Sequence, residues 1–273
     1  MRLLVTGAGG MLGSDVVRAG DQVTALSRAE LDITDEAAVD HAVRAARPDA
    51  VVNCAAYTDV DGAEAETDAA MRVNAAGALN VAEAAASVDA LVVYPSTDYV
   101  FDGSKRAPYV ESDPVSPRSA YGRSKLEGEL ATATVDGHLI VRTAWLFGTG
   151  GRNFVEAMLA AASRGPVRVV CDQVGCPTYS RHLAAAILTL VEAKVTGTVH
   201  AAGAGECSWH DFARAIFERA NVDADLSPCT TSEFPRPAPR PAYSVLRSER
   251  ADVPALPRWE RGLDEYLAER VVA

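Results

Sequence analysis

The sequence holds no Cys-x-x-Cys pair, no apolar run of membrane-spanning length, no internal repeat and no excess of basic charge. Each absence removes a class of protein. The cysteines (Cys54, Cys171, Cys176, Cys207 and Cys229) are odd in number and stand at no ligand spacing from the histidines. They read as reduced thiols, with neither a disulfide framework nor a metal site expected. Lys and Arg total 26 against 37 Asp and Glu, a formal net charge of −11 at pH 7. A surface this acidic repels a phosphate backbone, so nucleic acid is not an expected partner, although one locally basic pocket can still take a nucleotide. With no charged leader segment and no apolar span, a membrane partner is not expected either, and a cytoplasmic location is.

What is present reads as an α/β chain. At 273 residues it is long for one simple core and short for two independent domains, so one large unit with a smaller lobe is expected. Short apolar runs at Leu3 to Thr6, Gln22 to Leu26, Ala50 to Cys54, Leu91 to Pro95, Leu139 to Thr143 and Val167 to Cys171 read as strands. Helical patterns lie between them, over Met11 to Ala19, Asp35 to Ala46, Thr67 to Ala86, Ala120 to Thr134, Asn153 to Ser163 and Arg181 to Ala193. This alternation predicts a doubly wound, Rossmann-like parallel sheet. A further helix is expected over Ser208 to Ala220, with Ser208 as its N-cap, and another over Trp259 to Val272. Five prolines between Pro228 and Pro241 predict an irregular arm. The dinucleotide-binding domain is expected to comprise residues 1–147 and about 166–202, and the substrate lobe about 148–165 and 203–273.

Three segments carry chemistry. Gly7, Gly10 and Gly13 follow the first strand and open the first helix at the spacing Gly-x-x-Gly-x-x-Gly. Gly7 permits the tight turn, Gly10 admits a pyrophosphate close to the backbone and Gly13 packs helix on strand, with Met11 and Leu12 in the same loop. Where the second strand ends, an acidic residue would grip the 2′-hydroxyl of NAD; Ser27 and Arg28 stand there instead. Arginine suits a 2′-phosphate, so NADPH is the expected cofactor and NADH the second choice, the alternative being that Arg28 is a solvated surface charge. Asp32, beside Ile33, either meets the adenine or caps a turn. Ala55, Ala56 and Tyr57 close the third strand, where small residues leave room for a dinucleotide.

The second segment is Tyr121 and Lys125, four apart on an expected helix and so on one face. A nearby ammonium lowers a phenol's pKa and makes it a usable acid near neutrality. The third is Ser96-Thr97-Asp98 at the end of the fourth strand, where Ser96 or Thr97 can bond a substrate carbonyl.

Together these motifs resemble the extended short-chain dehydrogenase/reductase superfamily, and within it the dTDP-4-dehydrorhamnose reductase family. The closer likeness rests on Ser96-Thr-Asp-Tyr-Val-Phe101, Ser119-Ala-Tyr-Gly-Arg-Ser-Lys125, Val141-Arg-Thr-Ala-Trp145, Asn153-Phe154, Asp172-Gln-Val-Gly-Cys-Pro-Thr178 and Arg240-Pro-Ala-Tyr-Ser244. The resemblance implies an oxidoreductase that reduces the C4 ketone of a dTDP-linked sugar. Tyr121 would be the proton donor, Lys125 its partner and the holder of the nicotinamide ribose, and Thr97 an aid at the carbonyl. Asp98, Trp145 and Asn153 would meet the sugar, and Asn74 would support the cofactor site. Some family members form a magnesium-bridged dimer through glutamates, but Arg181 stands in the matching segment, so no metal is expected and a homodimer is left open. Two rival readings stay open: another nucleotide-sugar epimerase or ketosugar reductase, and a non-catalytic NADP-binding regulatory subunit of methionine adenosyltransferase.

Overall fold

A computed structural model describes residues 1–272. Six parallel strands build the central sheet: β1 (Arg2–Thr6), β2 (Gln22–Leu26), β3 (Ala50–Asn53), β4 (Leu91–Thr97), β5 (His138–Thr143) and β6 (Gly197–His200). Their spatial order is β6-β5-β4-β3-β1-β2. Successive side chains of a strand point to opposite faces, so a run such as Leu3-Leu4-Val5 feeds two cores at once. Leu3, Val5, Val52, Val93 and Val141 pack with Leu183, Ile187 and Leu190 of the helix Ser180–Glu192. Leu4, Val51 and Val92 pack on the other face with Val39 and Val43 of the helix Glu36–Ala46 and Val81 of the helix Gly77–Ala86. Each such fully buried aliphatic side chain contributes about 1.5–3 kcal/mol. The strand order reverses direction between β1 and β3, which opens a crevice at their carboxyl ends, the place where this class of sheet binds its ligands.

Two strands differ from the sequence expectation. The sixth strand of the sheet is Gly197–His200, too short and too polar to stand out as an apolar run. The expected strand at Val167 lies outside the central sheet: Val167–Val170 pairs in parallel with Leu226–Cys229. Val167 and Val169 are buried while Arg168 is exposed, the alternation of a half-buried strand rather than a central one. Its partner carries Pro228 inside the arm expected to be irregular, which a two-stranded sheet tolerates because one edge has no neighbour to bond.

The stretch expected as one helix from Thr67 is broken by a π-turn over Arg72–Ala76, with Asn74 at its centre. A second cluster joins Phe147, Val155, Val167, Val169, Phe212, Ile216 and Leu263 beneath the helices Phe154–Ala162, Trp209–Ala220 and Trp259–Val272. Ser208 begins the middle helix with a reciprocal capping box to Asp211. Among the described residues, no helix is long and apolar enough to cross a membrane.

Candidate active site

The carboxyl ends of β1 to β5 form the floor of the site. Between β1 and the helix Met11–Ala19, Gly7 adopts φ +62°, and a side chain there would strike the Ala55 backbone nitrogen at 2.6 Å. A side chain on Gly13 would sit 2.3 Å from the Gly7 carbonyl, so the helix can approach the strand only with glycine there. Gly10 caps the helix with no side-chain bond to its first-turn N–H groups, and Gly9 and Gly10 are exposed. This open, uncapped helix N-terminus is a cradle that fits a pyrophosphate. The Thr6 hydroxyl donates to Asn53 Oδ1 at 2.6 Å and ties the ends of β1 and β3 beneath it.

At the end of β2, Arg28 is exposed and points a cation into the open. Ser27 is not free: its N–H donates to Glu30 Oε2 at 2.8 Å, and the Ser27 hydroxyl bonds the same carboxylate, holding it below the usual range. The sequence reading missed Glu30, an acidic group that folds back onto the very strand end where acidity decides cofactor flavour; the signal was its place three residues after Ser27 in a tight turn. Asp32 follows its turn-capping alternative, accepting from the Thr34 N–H at 2.9 Å and the Thr34 hydroxyl at 2.8 Å. Ile33 is buried against the position of Gly77. Asn74 is also buried and fully engaged: it bonds the Tyr57 N–H (2.8 Å), the Tyr57 carbonyl (3.0 Å) and the Ser124 hydroxyl (2.9 Å). It fixes the backbone after Ala55 and Ala56 and does not itself reach into the crevice.

The helix Ala120–Thr132, begun by Ser119 as N-cap, carries Tyr121, Lys125 and Glu129 along one face. The Tyr121 phenol is hydrogen-bonded to the Thr97 hydroxyl. Its edge meets the ring of Tyr99 at 5.7 Å. Burial pushes Tyr121 up to about 12; the Thr97 bond opposes this and the Asp98 charge adds to it. The expected lowering by Lys125 is therefore corrected: in this protein burial governs the phenol. Lys125 donates to the Pro95 carbonyl at 2.7 Å and lies over the Tyr94 ring at 3.9 Å. Burial brings Lys125 down to about 7, with Glu129 and Cys54 opposing.

Ser96 drops out as a carbonyl ligand. Its hydroxyl donates to Glu129 Oε1 at 2.5 Å, and Glu129 accepts two bonds from Arg142, at 2.9 and 2.7 Å. This buried carboxylate–guanidinium pair lies behind the lysine and was missed in the sequence. Two signals pointed to it: Glu129 falls four residues after Lys125, and Arg142 interrupts an otherwise apolar strand. Thr97 thus stands as the hydroxyl beside Tyr121; it also donates to Asp98 Oδ1 at 3.1 Å and caps the turn at Tyr99. Asp98 is 2% exposed and its Oδ2 has no partner. Burial raises it from 3.8 to about 6, against hydrogen bonds from Ser244 and Thr97.

Trp145 follows β5 with φ +47°, stacked on Trp209 at 3.5 Å between ring centroids and pressed against Gly175. It forms an aromatic wall next to the strand-end hydroxyls. Asn153 does not stand free as the sequence reading expected. Its Oδ1 caps the helix at Glu156, and its Nδ2 donates to the Gly148 carbonyl at 2.8 Å and the Tyr266 hydroxyl at 3.2 Å. Arg181 lies between Asp15 and Glu269 as a cation in an ion-pair network.

Glycine cradle, parallel sheet and Tyr/Lys helix define a dinucleotide-binding α/β protein of the short-chain dehydrogenase/reductase kind. Comparison with known proteins narrows this. The family model described as RmlD substrate binding domain matches residues 1–272, and the chain belongs to that family. It is 43% identical to the spore coat polysaccharide biosynthesis protein SpsK of Bacillus subtilis, over 98% of each chain. It is 45% identical to dTDP-4-dehydrorhamnose reductase of Mycolicibacterium smegmatis, covering 100% of this chain and 86% of the relative. The crystal structure of the Bacillus anthracis dTDP-4-dehydrorhamnose reductase in complex with NADP superposes with a TM-score of 0.95 at 38% identity, over 98% of this chain and 99% of that one.

Proposed function

We propose that the chain reduces the C4 ketone of dTDP-4-dehydro-L-rhamnose to the alcohol of dTDP-L-rhamnose, with NADPH as reductant. The observation that carries this reading is the bonded Thr97–Tyr121 hydroxyl pair at the carboxyl edge of the sheet, one helical turn from buried Lys125 and across the crevice floor from an open glycine cradle. The names of the relatives, and the NADP held by the Bacillus anthracis protein, support the substrate and the cofactor.

NADPH, when bound, supplies the hydride. Gly7, Gly10, Met11, Leu12 and Gly13 would hold its pyrophosphate, Arg28 its 2′-phosphate, Ala55 to Tyr57 the sugar side, and Lys125 the nicotinamide ribose. Tyr121 gives its proton to the ketone oxygen as negative charge develops there, while Thr97 donates to the same oxygen and orients the phenol. Burial keeps Tyr121 protonated at neutral pH, as an acid must be before it acts. Trp145 packs against the sugar and Asp98 faces it. Asn153 shapes the lobe by tying the loop at Gly148 to Tyr266.

We divide the chain into a dinucleotide-binding domain, made of the central sheet with its helices, and a substrate lobe. The lobe holds about residues 148–170 and 203–272, because Val167 and Val169 share its hydrophobic cluster. We place the protein in the cytoplasm; free cysteines and the lack of a membrane-crossing helix among the described residues support that.

The test is loss of NADPH absorbance with a panel of dTDP-, UDP- and GDP-linked 4-keto sugars. Turnover with the dTDP-linked 4-keto sugar is the expected result. No NADPH oxidation with any of them would refute the reading, and protein isolated with stoichiometric NAD would favour an epimerase.

A further inference from the structure

Once Tyr121 has given its proton, it must be recharged, and Lys125 is turned toward the Pro95 carbonyl. A second route is built into the site. Tyr121 bonds Thr97, and Thr97 in turn bonds Asp98, whose side chain is buried with Oδ2 unpartnered. The hydroxyl of Ser244, also buried and without a bond of good geometry, lies beside the same carboxyl. We propose that Asp98 holds the reserve proton of the site and passes it through the Thr97 hydroxyl to Tyr121, rearming the phenol in place. The inference rests on the reading of the chain as a ketone reductase.

The step balances in protons. The Tyr121 O–H bond breaks toward the substrate oxygen, the Thr97 proton moves to the phenolate, and the Asp98 proton moves to the Thr97 oxygen. One proton leaves Asp98, no electrons move among these residues, and Asp98 recovers its proton from water after the product departs. Physically, a phenolate and a carboxylate joined by one hydroxyl repel each other inside a dry site, so the pair favours keeping one proton between them. The groups facing Asp98 are Tyr121 from its helix, Tyr99 from its own turn, Cys176 and Ser244 from the lobe side, all uncharged at neutral pH. The nearest charged pair, Arg240 with Asp61 at 3.0 Å, acts on Tyr99. Burial lifts the Asp98 carboxyl into a range where it can hold a proton.

The experiment compares first and later turnovers of wild type and Asp98→Asn by stopped flow, with enzyme preloaded with NADPH. NADPH binding by fluorescence serves as the fold check. Asparagine keeps the shape and holds no transferable acid. The expected result is a first turnover within about threefold of wild type and later turnovers slowed about tenfold or more. A later rate equal to wild type overturns the proposal. A first turnover slowed as much as the later ones also overturns it, because Asp98 would then only position substrate. A second arm needs no variant: the wild-type rate after the first turnover should fall as pH rises through about 6, where Asp98 loses its proton. A flat profile there overturns the proposal as well. Wild type that oxidises no NADPH would instead sink the reductase reading.

Discussion

Replacing Glu129 by glutamine tests how the site is held from behind. The side chains of Glu129 and Arg142 are 4% and 7% exposed, joined by bonds of 2.7 and 2.9 Å, and Ser96 adds a third bond to the same carboxylate. Glutamine preserves the outline but removes the charge, leaving a buried guanidinium without its counterion. Breaking such a pair costs about 3–5 kcal/mol. Against a total stability of about 5–15 kcal/mol this is a large fraction. At roughly 2–4 °C per kcal/mol for a chain of this size, the melting temperature should fall by about 6–20 °C. The assay is thermal denaturation of cofactor-free protein followed by circular dichroism. Glu129→Met combined with Arg142→Met should recover most of the loss, since an apolar pair of similar volume avoids the desolvation penalty. A fall of less than about 2 °C in the single variant, or a double variant no more stable than it, would refute the reasoning. Glu129 also supports the positive charge on Lys125, so the single variant should lower the lysine's pKa further.

Tyr121→Phe should keep NADPH affinity and lose about 10²- to 10⁴-fold in turnover; near-normal turnover removes the phenol as the acid. Arg28→Asp should move preference from NADPH toward NADH, and Glu30→Gln should tighten NADPH by freeing the Ser27 donors of a competing carboxylate; dissociation constants for both dinucleotides check the two directions. Asp98 has a folded pKa raised from 3.8 to about 6, so its contribution to stability is full below about pH 3.8 and lost as pH rises through about 6. The difference amounts to about 3 kcal/mol. Asp98→Asn should therefore gain on wild type by that order between about pH 3.5 and pH 8, read from paired melting curves; parallel curves would contradict it.

Much of the fold could be read from periodicity. Strands β1, β3, β4 and β5 are continuous apolar runs because both their faces are covered, and the helices between them carry matching apolar stripes. The exceptions share a cause. Gly197–His200 is polar and brief, recruited to the sheet by register with β5 rather than by its own composition. Val167–Val170 is apolar enough for a central strand, yet Arg168 marks an exposed face that continuity of apolarity hides. The glycine cradle and the Tyr121/Lys125 helix were legible because spacing fixes them locally. Hydrogen-bond choices were not: Ser96 turning to Glu129, Asn153 capping its helix and Glu30 folding onto Ser27 depend on partners brought near by tertiary packing or tight turns.

The protein has three tryptophans, and two of them, Trp145 and Trp209, lie face to face at an interplanar angle of 6°. Trp145 comes from the end of a sheet strand and Trp209 from the first residue of a lobe helix, so their overlap depends on how the two parts of the molecule meet. Two indoles in such register couple their excited states. The near-ultraviolet dichroism of the unlabelled protein therefore carries a built-in optical gauge of sheet-to-lobe closure, readable without dye, tag or turnover.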